Sequence, residues 1–140
     1  MEQPDRQFEH LWPPFLHHLQ KVIHEAHDVT GLEWHMVEGY RSQKRQTWLY
    51  SQGRTRPGLI VTWKKSPTWH GAGLAADLCP VRDGKLWFSA PKEYWIKMQK
   101  IAIKYGLSNP AFDKGDLGHV QWNNWIERVK ALWWIKKGWN

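Results

Sequence analysis

Thr68-Trp69-His70-Gly71-Ala72-Gly73-Leu74-Ala75-Ala76-Asp77 sets the terms for the fold. Leu74 to Cys79 reads as a strand. Side chains alternate along a strand with a period of two, so His70 and Asp77 cannot share one face of a single straight strand. Gly71-Ala72-Gly73 reads as a flexible turn, the bend that lets the imidazole return toward the carboxylate, and Ala75 and Ala76 leave the approach uncrowded. Downstream, Asp116-Leu117-Gly118-His119 places a second carboxylate three residues before a second imidazole, at the start of a short strand over 119–122. Both histidines thus sit among Gly and Asp at strand boundaries, where rigid strands hold loops that carry chemistry.

Outward from this stretch the elements are mixed. Pro13-Pro14 opens a helix to about Val29, proline being suited to a first turn. Leu16, Leu19, Ile23 and Ala26 give it an apolar face at helical spacing. Glu33 to Glu38 alternate as a strand, with Trp34, Met36 and Glu38 on one side. Ser42 is a good N-cap for a helix through Tyr50, which Gly53 stops. Residues 54–68 read as a Gly/Pro loop around a short apolar strand, 59–63. Asp83-Gly84 is a hairpin signal leading to a strand over 85–88. A third helix runs from Pro91 to before Gly106, with Trp95, Met98, Ile101 and Ala102 inward. The last helix, about 124–136, is expected to bury Trp125, Val129, Leu132 and Trp133. Hairpins in place of regular βαβ alternation predict an α+β fold, a small antiparallel sheet flanked by helices, in one catalytic domain over residues 1–140.

Twenty Lys and Arg against 13 Asp and Glu give a net charge of +7, and the chain carries 12 Trp. That charge attracts an anionic partner, be it nucleic acid, a membrane surface or an acidic wall polymer. Trp interleaved with basic residues could also stack single-stranded bases, but the plainer expectation is that the Trp residues build the core while Lys faces water. The tail from Lys130 to Asn140, with Trp133, Trp134, Lys136, Lys137 and Trp139, could hold an anionic envelope surface. No membrane-length apolar run and no secretory leader is read, so the expected location is cytoplasmic. The single cysteine, Cys79, excludes an internal disulfide. Two residues beyond Asp77, it could offer a thiolate, although a small buried apolar residue is its ordinary role.

Eight histidines need sorting. His10, His17, His18, His24, His27 and His35 lie in or near the first helix and strand. His24 and His27 could share a helical face but lack an HExxH pattern, so solvated or helix-capping roles are expected. His70, Asp77 and His119 offer a three-ligand zinc set with a fourth position open to water, and a further carboxylate nearby could take a proton. A Gly-rich turn with a capping Asp and a half-buried His explains the same spacing.

Other motifs accompany this set in order. Gly39-Tyr40-Arg41-Ser42 is followed by Gln46 and by Gly53-Arg54-Thr55-Arg56-Pro57-Gly58-Leu59-Ile60-Val61-Thr62, then by Thr68 to Asp77 and by Asp116 with His119. Together they resemble the zinc peptidases that include bacterial D-Ala-D-Ala carboxypeptidases, vancomycin-resistance dipeptidases and the L-alanyl-D-glutamate endopeptidases of phages and bacilli. The resemblance covers residues 39 to 122. It implies a Hedgehog/DD-peptidase-like fold and a Zn2+ ion on His70, Asp77 and His119. It also implies Asp116 as general base and Arg41 as the cation facing the developing oxyanion. The implied substrate is the stem peptide of peptidoglycan.

Asp rather than Glu at position 116 points to the endopeptidase branch, hence to cleavage of the L-Ala-D-Glu bond by an endolysin-like, monomeric enzyme. Such an enzyme waits in the host cytoplasm until released to the periplasm and wall, and no nucleic-acid partner is expected. Thr68 stands where the family has Ser, and Gln121 where Glu often follows the second histidine, exchanging a charged second-layer acceptor for a neutral one. Two other readings compete: a D-Ala-D-Ala carboxypeptidase on the same scaffold, and a non-catalytic basic protein binding nucleic acid or wall.

Overall fold

The computed structural model describes residues 3–139, so Asn140 of the basic tail and the first two residues of the expected domain lie outside the described residues. Helix α1, Pro13–Thr30, starts on its two prolines and ends at Gly31, which takes the left-handed conformation a C-cap favours. Phe15, Leu19, Val22 and Ala26 are its buried face, with Leu16 and Ile23 on the flanks of the core. Helix α2, Gln43–Ser51, begins where the Ser42 side chain accepts the Arg45 amide. Helices α3, Lys92–Lys104, and α4, Trp125–Lys136, complete the set.

The sheet is antiparallel and centred on β2, Ala75–Arg82. Strand β1, Glu33–Glu38, pairs along one edge of β2. The other edge is shared by β3, Lys85–Leu86, at one end and β4, His119–Gln121, at the other. α1 and α3 pack together behind the sheet, with Trp34 of β1 meeting Trp95 of α3 edge to face at 5.7 Å. Gly118, entering β4, lies so close to β2 that an added Cβ would fall on the Leu78 carbonyl oxygen. Only a residue without a side chain lets β4 dock there.

Three expectations need correcting. Residues 59–63 form no strand: Leu59 is 85% and Trp63 80% exposed. Side chains take carbonyls there in place of a strand partner, Gln52 donating to Leu59 and Arg54 to Thr62, while Arg54 and Arg56 stack on Tyr50 and Trp48. The Trp residues are not mainly core. Trp34 and Trp95 are buried and Trp12, Trp69, Trp87 and Trp122 are partly buried against the core, whereas Trp63, Trp125 and Trp133 face outward.

The third correction is α4, which is present but turned over. Trp125, Val129, Leu132 and Trp133 are exposed, and Ala131 alone among its residues is fully buried. The cause is Trp12. Its indole donates to Glu127 at 2.6 Å and its ring meets Trp134 edge to face at 5.3 Å. These contacts fix the Glu127–Ala131–Trp134 side inward.

Candidate metal centre and its cleft

The cross-strand register builds the site. Asp77 of β2 lies opposite Glu38 of β1 on one edge and opposite His119 of β4 on the other. A β-bulge after Met36 shifts the register by one residue and brings Glu38 into this row. His70 arrives from the turn before β2. The bend expected there is a single ordered 3-10 turn, His70–Ala72, closed by Gly73 in the left-handed region. The turn and β2 together return the imidazole to the carboxylate, so His70 Nε2 is 3.5 Å and His119 Nδ1 3.1 Å from Asp77 Oδ1. One ligand atom from each of His70, Asp77 and His119 lies within 4.8 Å of the others.

The donor set fits a divalent ion. His70 Nδ1 donates to the Gly39 carbonyl at 2.7 Å, which leaves its Nε2 as a free lone pair toward Asp77. His119 is held the other way round, with Nε2 on Gln121 Oε1 at 2.7 Å and Nδ1 toward Asp77. Each imidazole is thus fixed from behind, as metal-binding histidines are. Gln121 passes the connection on through Asn123 to the Ser108 hydroxyl. The neutral amide at position 121 therefore does the orienting that the departure from Glu had put in question.

Electrostatics agree with this geometry. Burial works against the Asp77 charge, but His70 and His119 outweigh it and hold the carboxyl far below the usual range. Burial likewise opposes charge on His119, yet Asp77 and Gln121 raise its pKa. Metal ligands must be deprotonated, so uptake of an ion at His119 would depend on pH. Asp116 is raised, first by burial and then by the negative charge of Asp77, and it feels His119, His70 and Arg41 as well. The carboxyl named from the sequence is exposed on the loop before β4, within electrostatic reach of the site, and the metal-capable group does not include it.

Arg41 also reaches the cleft, its Nη2 3.6 Å from Asp77 Oδ2. Glu38 accepts from Arg41 at 2.9 Å and from Arg45 at 3.0 Å, and Gln46 Oε1 accepts from Arg41 at 3.1 Å. Among the described residues the buried Nε of Arg41 has no partner. Glu38 was not singled out by sequence reasoning, and Gln46 was quoted in a motif without a role. A signal existed for Glu38: an acid alternating with Trp34 and Met36 on an inward strand face needs cations, and Arg41 and Arg45 follow.

Other candidates separate from the site. Cys79 is buried with its thiol pushed up to about 11 by burial, and the metal-capable group does not include it. His27 Nδ1 meets the Leu32 carbonyl just beyond α1, and His24 faces Asp28 at 3.5 Å.

No family model matches the chain. It is 34% identical over 86 residues to the peptidoglycan L-alanyl-D-glutamate endopeptidase CwlK of Bacillus subtilis, covering 55% of this chain and 52% of that protein. The chain thus spans about half the length of this curated relative. Among solved structures, the L-Ala D-Glu endopeptidase ChiX of Serratia marcescens shares the fold with a TM-score of 0.58, 18% identity and 83% of each chain covered. The vancomycin-resistance D,D-pentapeptidase VanY of a VanB-type cassette, in complex with Zn(II), matches with a TM-score of 0.56 at 13% identity over 85% of this chain and 76% of its own. Fold and sequence similarity agree with the family drawn from the motifs, and the fold is the α+β arrangement expected.

Proposed function

We propose that this chain is a zinc peptidase of that family and hydrolyses the peptide stem of bacterial peptidoglycan at the L-Ala-D-Glu bond. The observation that carries the reading is the Asp77 row, where two imidazoles, fixed from behind by Gly39 and Gln121, converge on one carboxylate. His70, Asp77 and His119 would hold zinc, which supplies Lewis acidity toward a peptide carbonyl and activation of water.

The protein's own groups divide the remaining work. Asp116, its pKa raised by burial and by Asp77, is suited to accept a proton from the attacking water and return it to the departing amine. Arg41, braced by Glu38 and Gln46, presents fixed positive charge to the carbonyl oxygen as it becomes negative. The similarity to CwlK supports the L-Ala-D-Glu bond over the D-Ala-D-Ala bond.

The wider role belongs to the same proposal. The enzyme acts as a monomeric, endolysin-like lytic protein released from the host cytoplasm to the wall, and its net charge of +7 favours that acidic polymer. Nucleic acid is not its partner. The test is mass spectrometry of purified peptidoglycan after digestion, with and without a zinc chelator. Chelator-sensitive release of peptides beginning at D-Glu is expected. Release of D-Ala would transfer the chain to the carboxypeptidases, and no new product would overturn the enzymatic reading.

A further inference from the structure

The outer face of α4 has the composition of a buried surface and faces outward. Trp125, Ile126, Val129, Leu132 and Trp133 are 65%, 71%, 67%, 43% and 63% exposed. At the helical pitch these five side chains fall within an arc of about 120°, a continuous stripe and not scattered exposure. Lys130 and Lys137 border that arc and Lys136 enters it near the C-terminal end. Residues 125–137 carry four basic side chains against one acid, Glu127, which is turned inward onto Trp12.

From this stripe we propose that α4 docks the protein on an anionic phospholipid surface. The helix would lie in the headgroup plane, with the five apolar side chains toward the acyl boundary and the lysines on lipid phosphates. Aromatic rings bordered by lysines suit that interface, where one end of each group is apolar and the other wet. Charge selects this occupant over a second copy of the chain. A two-fold contact would press together two faces that each carry Lys130, Lys136 and Lys137, on molecules that each carry +7.

The face is also preorganised. Asn124 caps the helix through the Glu127 amide, Trp12 holds its inner side through Glu127 and Trp134, and Trp69 meets Trp125 of the stripe at 5.1 Å. Docking therefore costs little ordering of the helix. Trp69 precedes His70, so the docked face adjoins the cleft.

The test is co-sedimentation of the whole chain with vesicles of phosphatidylglycerol and phosphatidylcholine, compared with phosphatidylcholine alone. Binding to the anionic vesicles that weakens with salt is expected. The double variant V129D/W133D should lose about tenfold or more in affinity, the scale set by two large apolar side chains leaving the interface, while cleaving soluble stem peptide as before. Should that variant fail to fold, K136E/K137E, which spares the stripe, must still lose the preference for anionic lipid. Equal binding by wild type and V129D/W133D overturns the proposal, as does absence of vesicle binding. A dimer that V129D/W133D dissociates, without vesicle binding, also overturns it and gives the face to a second copy. His70→Ala should bind vesicles as the wild type does, so failure of the lipid proposal and failure of the peptidase reading are separately visible.

Discussion

The row centred on Asp77 and the outer face of α4 break the same rule in opposite directions. In the row, Glu38, Gln46 and His70 are buried although their types belong outside. On α4, two Trp, an Ile, a Val and a Leu are exposed although theirs belong inside. The two inversions differ in how the molecule balances them. Glu38, Gln46 and His70 each have named partners within hydrogen-bonding reach, so the cost of burying them is met within the fold. The stripe on α4 has no such balance, and its compensation must come from outside the molecule. Internal satisfaction marks a site for chemistry; an unbalanced apolar surface marks a site for contact.

The largest effects should follow from the row. His70→Ala is expected to abolish stoichiometric zinc uptake and lower stem-peptide hydrolysis about a thousandfold or more, read by metal analysis and product release. Retention of both would break the assignment. Asp116→Asn should keep zinc and still lose between about a hundredfold and ten-thousandfold in turnover, separating proton transfer from metal binding. Full activity in that variant would return Asp116 to a structural part.

Smaller effects distinguish balanced burial from plain packing. Glu38→Gln leaves Arg41 and Arg45 without their carboxylate and should cost about 3 kcal/mol in chemical denaturation. Burial opposes the Glu38 charge, but hydrogen bonds from the two arginines outweigh it and keep its pKa lowered. Its contribution to stability is therefore complete above the unfolded value of about 4.3 and is lost as pH falls through the lower folded value. The variant should accordingly show a flatter decline toward acid than the wild type, and an unchanged decline would remove Glu38 from that role. A matched leucine pair gives the smallest expected effect. Leu19→Ala in buried α1 should cost about 3 kcal/mol, and Leu132→Ala on α4 less than about 1 kcal/mol. Equal losses would show that the α4 stripe is buried in solution.

The centre of the fold was legible because its signals are local. Caps, the two prolines, the strand alternation and the histidine motifs each act within a few residues, and the bounds of α1, β1 and α2 follow them closely. The orientation of α4 was not legible for the same reason. Helical period shows which residues share a face, but the inward side is chosen by Trp12, 115 residues away from Glu127. The absent strand at 59–63 has a similar origin. Apolar residues suggested a ladder, whereas the side chains of Gln52 and Arg54 take the Leu59 and Thr62 carbonyls. Of the cleft, the motif residues could be read directly. Glu38 required seeing that an inward acid implies its cations.

The Asp77 row has a topological consequence. β4 is three residues long and β3 two, and strands so short contribute little independent stability. Asp77 and His119 are 42 positions apart in the chain. An ion held by both would close that span as a covalent crosslink does, at a loop-entropy value of about 4 kcal/mol. Unlike a disulfide, this crosslink needs no cysteine partner and no oxidant, and a chelator can withdraw it. The cleft is in that sense a removable stitch, joining β4 to the sheet with the same ligands that would serve the reaction.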